Sequence, residues 1–176
     1  MSPLLRVLLE STVILLPYMS LFKESVLPPP SLGVHVFVRD EKRYAVLFQS
    51  VVLPCQYNSV STQTPVVQWV YKSYCRDRGG YETGMRASYL DCADSSRTVR
   101  MVASISGSSV TLSEYYKNRD ISINNKADLR IGDVQWGDSG VYMCKVVISD
   151  DLEGQNEASV ELLVLRRMRP ELRELL

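Results

Sequence analysis

Apolar and polar side chains alternate with a period of two along most of the chain after residue 33, which is the pattern of half-buried β-strands. Turn residues separate the alternating runs, so the pattern predicts more than seven short strands. The predicted strands lie at 34–38, 45–55, 66–74, 98–104, 110–112, 121–123, 129–134, 141–148 and 158–165. We therefore expect an all-β sandwich.

Two of the predicted strands carry cysteines whose spacing is typical of one kind of sandwich. Cys55 and Cys144 lie 89 positions apart, with Trp69 between them and Tyr142 two residues before the second cysteine. In an immunoglobulin sandwich, such cysteines join strands B and F over a buried indole, and such a tyrosine forms the tyrosine corner. The extra strands between 98 and 112 predict the variable type of this fold.

The cysteine count points to an oxidising compartment. Four cysteines, an even number, in a small β-rich chain predict two disulfides. Once Cys55 is paired with Cys144, Cys75 and Cys92 remain, and their bridge closes a loop of 17 positions. No Cys-x-x-Cys motif occurs and the single histidine, His35, lies in a predicted strand, so we expect no metal site.

Two charged residues are predicted to close one end of the sandwich. Arg119 stands just before the strand at 121–123, and Asp138 stands just before the strand at 141–148. Variable-type domains commonly pair such residues across the end of the barrel. With Trp69 and Tyr142, this pair forms the expected core signature, and its role is structural.

The chain divides into three parts. Residues 1–33 hold a short apolar block at 12–16 behind Arg6, which has the composition of a signal peptide, and a Pro-rich linker at 28–30. The alternative is an N-terminus without a targeting role. Residues 34–165 form the predicted domain, since 176 residues are too few for two variable-type sandwiches. Residues 166–176 form a charged tail.

Several runs are more specific than the fold. The runs 72–77, 90–103, 136–140 and 151–157 resemble the ectodomain of the angulin family over about residues 34–165. This resemblance implies a type I membrane protein that marks tricellular tight junctions and recruits tricellulin, with lipoprotein-receptor or immune-regulatory roles in individual members. The sequence departs from the family in two places. The Cys75–Cys92 loop looks shorter than in other members, and residues 166–176 stand where the family has its transmembrane helix but contain no apolar run of about 20 residues.

Charge and motifs favour recognition by a surface over chemistry. The 20 basic and 20 acidic residues give no net charge, so we expect no nucleic-acid partner. Ser139 beside Asp138 is not expected to be catalytic, because the chain's sole histidine is in the first strand and no Gly-x-Ser-x-Gly elbow occurs. We therefore expect no enzyme and no cofactor.

Two loops supply the candidate partner-binding residues. Loops at one end of a variable-type sandwich are where such domains bind, and Arg and Tyr are favoured anchors, so we expect the residues of both loops to form one cluster. The candidates lie in the disulfide-closed loop and between the last two strands, and they are Arg76, Asp77, Arg78, Tyr81, Asp150, Asp151 and Glu153. The alternative for these residues is that they are only solvated.

Two functions remain open at this point. The first is a junctional adhesion or receptor module that engages a partner through the predicted strands C (66–74), C′ (98–104), F (141–148) and G (158–165) and their loops. The partner would be a second copy, another junction protein or a lipoprotein. The second is a soluble, secreted binder or decoy without a membrane anchor, which follows if the chain is complete. Localisation is accordingly the cell surface at cell contacts in the first case and the extracellular space in the second.

Overall fold

The computed structural model describes residues 33–75, 90, 92–150 and 156–166. These ranges hold eleven strands, three short 3₁₀ turns and no α-helix. The strands are β1 (His35–Phe37), β2 (Lys42–Val46), β3 (Val51–Leu53), β4 (Gln56–Asn58), β5 (Val66–Lys72), β6 (Val99–Ser106), β7 (Ser109–Leu112), β8 (Ile121–Asn124), β9 (Asp128–Ile131), β10 (Gly140–Val147) and β11 (Glu157–Leu165). The predicted signal segment and charged tail lie outside the described residues, apart from Gly33 and Arg166.

The strands form two facing sheets and a small edge pair. The larger sheet has the order β2-β11-β10-β5-β6-β7, the smaller sheet has the order β3-β9-β8, and β1 pairs with β4. Neighbouring strands are antiparallel except for β2 and β11, which run parallel. The prediction of an all-β, variable-type sandwich is confirmed.

The core is built around Trp69, whose ring is fully buried. Its indole N–H donates a hydrogen bond of 2.7 Å to the carbonyl oxygen of Ala127, so the polar atom of this large side chain is satisfied. On the neighbouring strand, Cys144 lies opposite Trp69 and bonds to Cys55, which follows β3 of the other sheet by two residues. The predicted disulfide between the two sheets is confirmed.

The tyrosine corner closes the base of β10. The Tyr142 hydroxyl donates to the carbonyl oxygen of Asp138 at 3.0 Å, and the Tyr142 ring packs edge-on against Tyr71 at 5.3 Å. Burial raises the pKa of the Tyr142 hydroxyl well above its ordinary value, because the phenolate would be desolvated. This side chain therefore stays neutral and keeps donating throughout the physiological range.

The predicted strand at 45–55 is wrong, because two strands on different sheets replace it. β2 pairs with β11, whereas β3 pairs with β9 in the opposite sheet. Between them Phe48 adopts φ 67°, and Gln49 N–H donates to the Val46 carbonyl in a tight turn. The chain crosses from one sheet to the other at this turn, so a continuous strand is impossible.

Gly140 begins β10 where no side chain fits. A Cβ atom there would lie 2.6 Å from the carbonyl oxygen of Lys72 and 2.6 Å from the ring of Tyr71. We expect Gly140→Ala to lower the free energy of unfolding by about 1–3 kcal/mol through overpacking. Urea denaturation measures this loss, and Gly137→Ala is the control, because a Cβ atom there meets nothing within 4 Å. Equal losses in the two variants would contradict the steric explanation.

Candidate binding interface

The outer face of the larger sheet carries five neighbouring apolar side chains and one lysine. Val70 on β5 lies between Met101 on β6 and Met143 on β10, and Lys72 next to it lies between Val99 and Val141. Val99 and Met101 are 42% and 41% exposed. We call Val70, Val99, Met101, Val141 and Met143 the apolar row.

The alternation along the strands explains why these side chains face outward. On β5, Val67, Trp69 and Tyr71 point into the core, so Val70 points to the opposite face. On β6 the register shifts opposite Trp69 and Val70, and the shift lets two consecutive residues, Val102 and Ala103, both be buried. Before the shift, the side chains of Val99 and Met101 lie on the outer face.

Polar and charged residues border the apolar row on β11 and β2. Glu161 is only 6% exposed and lies 3.0 Å from the Lys42 ammonium. The Tyr74 hydroxyl donates to the same carboxylate at 3.1 Å. On the other margin, Lys145 lies between Gln68 and Glu157 in the strand register. An apolar centre with a polar rim is the usual anatomy of a protein–protein interface.

An ion cluster follows the sheet at the end of β5. The Lys72 ammonium lies 2.9 Å from Asp94, and Arg97 Nε donates to the other oxygen of Asp94 at 3.0 Å. The hydrogen bond from Lys72 lowers the pKa of the exposed Asp94 carboxyl, with a smaller contribution from Arg97. Arg97 also donates to the carbonyl oxygens of Leu90 at 3.1 Å and Cys92 at 2.8 Å. We call these Arg97 contacts the Arg97 clamp.

The second disulfide lies beside this cluster. Cys75 and Cys92 are bonded with their Cα atoms 6.0 Å apart, which confirms the predicted pairing. Both cysteines stand outside the strands and are partly exposed, between the end of β5 and the start of β6. The bridge therefore closes a single connection and does not link the two sheets.

The two candidate binding loops begin at opposite ends of the larger sheet. Arg76, Asp77, Arg78, Tyr81, Asp151 and Glu153 lie outside the described residues. The loop ends are described, and they start from opposite ends of the sheet: Lys72 pairs with Val141, whereas Val66 pairs with Val147. Because β5 and β10 are antiparallel, the connection after β5 and the connection after β10 leave in opposite directions. Their anchors do not form one cluster.

Asp150 is the one candidate of this set that the structure describes. Both of its carboxylate oxygens accept from the Ser61 hydroxyl at 2.8 Å. Ser61 lies between β4 and β5, so this contact ties the connection before β5 to the connection after β10. This contact is not predictable from the sequence, because it joins two polar residues 89 positions apart in the chain.

The ion pair at the other end of the sandwich is bidentate. The two terminal guanidinium nitrogens of Arg119 lie 2.6 Å and 2.7 Å from the two oxygens of Asp138. Asp138 also accepts from the Gln135 N–H at 2.8 Å, which fixes the turn before β10. The hydrogen bonds to Asp138 raise the pKa of the Arg119 guanidinium. Only 15% of the Arg119 side chain and 5% of the Asp138 side chain are exposed, which agrees with a structural role.

The described part of the chain gives two negative results. It holds no group of three or more His, Cys, Asp or Glu side chains arranged to bind a metal ion. None of its helical segments has the length and hydropathy needed to cross a bilayer.

Comparison with known proteins identifies the family. The immunoglobulin V-set domain model matches residues 40–165. Human immunoglobulin-like domain-containing receptor 2 is 51% identical over 149 residues, which cover 77% of this chain and 23% of the receptor. Human lipolysis-stimulated lipoprotein receptor is 44% identical over 156 residues, which cover 78% of this chain and 24% of the receptor. The chain thus spans about a quarter of the length of these curated relatives.

Comparison with solved structures supports the sandwich fold and nothing beyond it. The two tandem V-type regions of a v-region-containing chitin-binding protein align with a TM-score of 0.55 at 21% identity, covering 75% of this chain and 51% of that chain. Murine CRIg aligns with a TM-score of 0.50 at 16% identity, covering 74% of this chain and 98% of that chain. The resemblance to the angulin ectodomain is confirmed by the curated relatives, which are named as receptors, and the chain belongs to the immunoglobulin V-set family.

Proposed function

We propose that this chain is an adhesion and receptor module of epithelial cell contacts, whose protein partner docks on the apolar row. The observation that carries the proposal is the exposure of Val99 and Met101 on β6, beside the outward-facing Val70 of β5. The relatives named as receptors support a role in recognition. The resemblance to angulin ectodomains supports a place at cell junctions.

The chemistry of the apolar row suits a protein partner. Met101 and Met143 are unbranched and polarizable, so they can adapt to the shape of an opposing surface. Val70 and Val99 are β-branched and already restricted, so ordering them in a complex costs little entropy. The ion pairs at the rim, such as Lys42 with Glu161, can select partners by charge while contributing little affinity.

A lysine in the apolar row tests the proposal. We expect Val99→Lys to weaken binding by about tenfold or more, because it places an ammonium group in the desolvated centre of the interface. Val52→Lys is the matched control, since Val52 is 38% exposed on β3 of the opposite sheet. Both variants should keep the parental melting temperature to within a few degrees. The measurement is binding of the full chain, displayed on beads, to epithelial cell surfaces.

The same assay separates the possible partners. Clustering of the coated beads with one another indicates a second copy of this chain, and binding only to cells indicates another junction protein. Binding to purified lipoprotein particles that is lost in Val99→Lys would assign a lipoprotein to the same face. Equal binding by Val99→Lys and Val52→Lys would exclude the apolar row. Failure of the parent chain to bind any epithelial surface would favour the soluble binder instead.

A further inference from the structure

We propose that Cys75–Cys92 is an exchangeable disulfide, which extracellular thiols can open and reclose while the sandwich and its Cys55–Cys144 bridge stay intact. Disulfide exchange requires a thiolate to reach a sulfur atom in line with the bond, so access decides which bridge reacts. Cys55 and Cys144 are 1% and 0% exposed, whereas Cys75 and Cys92 are both partly exposed. A reagent in solution therefore reaches the second bridge first.

The place of this bridge in the fold makes opening tolerable. Cys75 and Cys92 lie in one connection between β5 and β6, and neither belongs to the buried core. Opening the bridge removes no contact of Trp69 or Tyr142 and separates no pair of strands. Reaching the first bridge, in contrast, requires the two sheets to move apart.

Other contacts hold the two ends of the connection together without the disulfide. The Ser73 N–H donates to the Thr98 carbonyl at 2.9 Å, and the Thr98 N–H donates to the Ser73 hydroxyl at 3.0 Å. The Arg97 clamp binds the carbonyl oxygens of Leu90 and Cys92, and Lys72 on β5 binds Asp94. These contacts should keep the two sulfur atoms near each other after opening, which favours reclosure of the same pair.

Attack at either sulfur gives the same two protein thiols, and attack at Cys75 serves to show how the atoms balance. A thiolate that attacks the sulfur of Cys75 forms a mixed disulfide with Cys75, and the S–S electron pair leaves on Cys92 as a thiolate. The second thiol of a dithiol then attacks the mixed disulfide and releases Cys75, leaving two protein thiols and the oxidised dithiol.

Differential alkylation of the full chain tests the exchange. The chain is treated with graded dithiothreitol at neutral pH without denaturant, trapped with N-ethylmaleimide and mapped by mass spectrometry. We expect Cys75 and Cys92 to be labelled faster than Cys55 and Cys144 by on the order of 10³-fold or more, because the buried pair reacts only through unfolding. The near-ultraviolet circular dichroism of buried Trp69 should persist in the doubly labelled chain. Parallel labelling of all four cysteines, or loss of that signal with the first labels, would overturn the proposal.

Two further variants test whether the domain folds without the Cys75–Cys92 bridge and whether the Arg97 clamp speeds its reclosure. The double variant Cys75→Ser, Cys92→Ser should fold and unfold cooperatively, and an unfolded double variant would contradict the proposal. Arg97→Gln should reclose the reduced bridge in oxidised glutathione several-fold more slowly than the parent, since its clamp no longer holds the sulfurs together. Arg130→Gln, which changes an exposed ion pair with Asp120, is the control and should reclose at the parental rate. Equal reclosure rates in both variants would remove Arg97 from the mechanism.

Discussion

A chain carrying Cys55→Ala is expected to lose about 2–5 kcal/mol of free energy of unfolding. The bridge to Cys144 joins the two sheets directly behind Trp69, and both sulfurs are buried. The variant frees the unfolded chain from the constraint of this bridge, which favours unfolding, and it also leaves a gap beside the indole. A loss of this size is a large fraction of the stability of a small domain, so part of the variant should be unfolded at 37 °C.

Urea denaturation under non-reducing conditions measures the effect of Cys55→Ala. The double variant Cys75→Ser, Cys92→Ser is the comparison, because it removes a bridge of 17 positions instead of 89. The loop-entropy model assigns the longer loop the larger loss. A midpoint for Cys55→Ala equal to that of the parent would contradict the role of the inter-sheet bridge.

Asp138→Ala is expected to cost about 3 kcal/mol, the lower end of the range for breaking a buried ion pair. The variant leaves the Arg119 guanidinium without its bidentate partner and the Gln135 N–H without its acceptor. The loss stays at the lower end because Arg119 keeps 15% of its side chain exposed to water. Thermal unfolding followed by circular dichroism gives the shift.

The chain offers a matched control for this ion pair. Asp120 lies 2.8 Å from Arg130, but 61% of the Asp120 side chain and 34% of the Arg130 side chain are exposed. Asp120→Ala should therefore cost no more than about 1 kcal/mol, because water screens exposed pairs. Similar losses for Asp120→Ala and Asp138→Ala would show that burial does not decide the strength of these pairs.

The central features of the fold were predictable because they rest on local patterns or fixed spacings. Trp69 and Tyr142 lie on strands whose alternation is regular, so their burial follows from the period of two. Cys55 and Cys144 occupy the spacing that the sandwich requires. The remaining cysteines then had only each other as partners.

The features that were missed depend on pairings distant in sequence. The residues 45–55 contain no glycine, and nothing in the run signals the positive φ of Phe48 or the parallel pairing of β2 with the last strand. The anchors of the two candidate loops lie at opposite ends of the sheet because β5 and β10 are antiparallel neighbours. Predicting this separation requires knowledge of the strand order in the sheet. The outward direction of Met101 depends on the register shift opposite Trp69 and Val70, which alternation alone does not predict.

The order of the four cysteines makes the disulfides two nested rings, since the Cys75–Cys92 ring lies wholly inside the Cys55–Cys144 ring. Loops are where proteases most often cut. A single cut between Cys75 and Cys92 would yield two fragments that two covalent bridges still join. Such a nicked chain would migrate as one species on a non-reducing gel and as two species after full reduction. Exchange at the inner ring alone would leave the fragments joined by the outer one, so a cut at this position cannot by itself release either half.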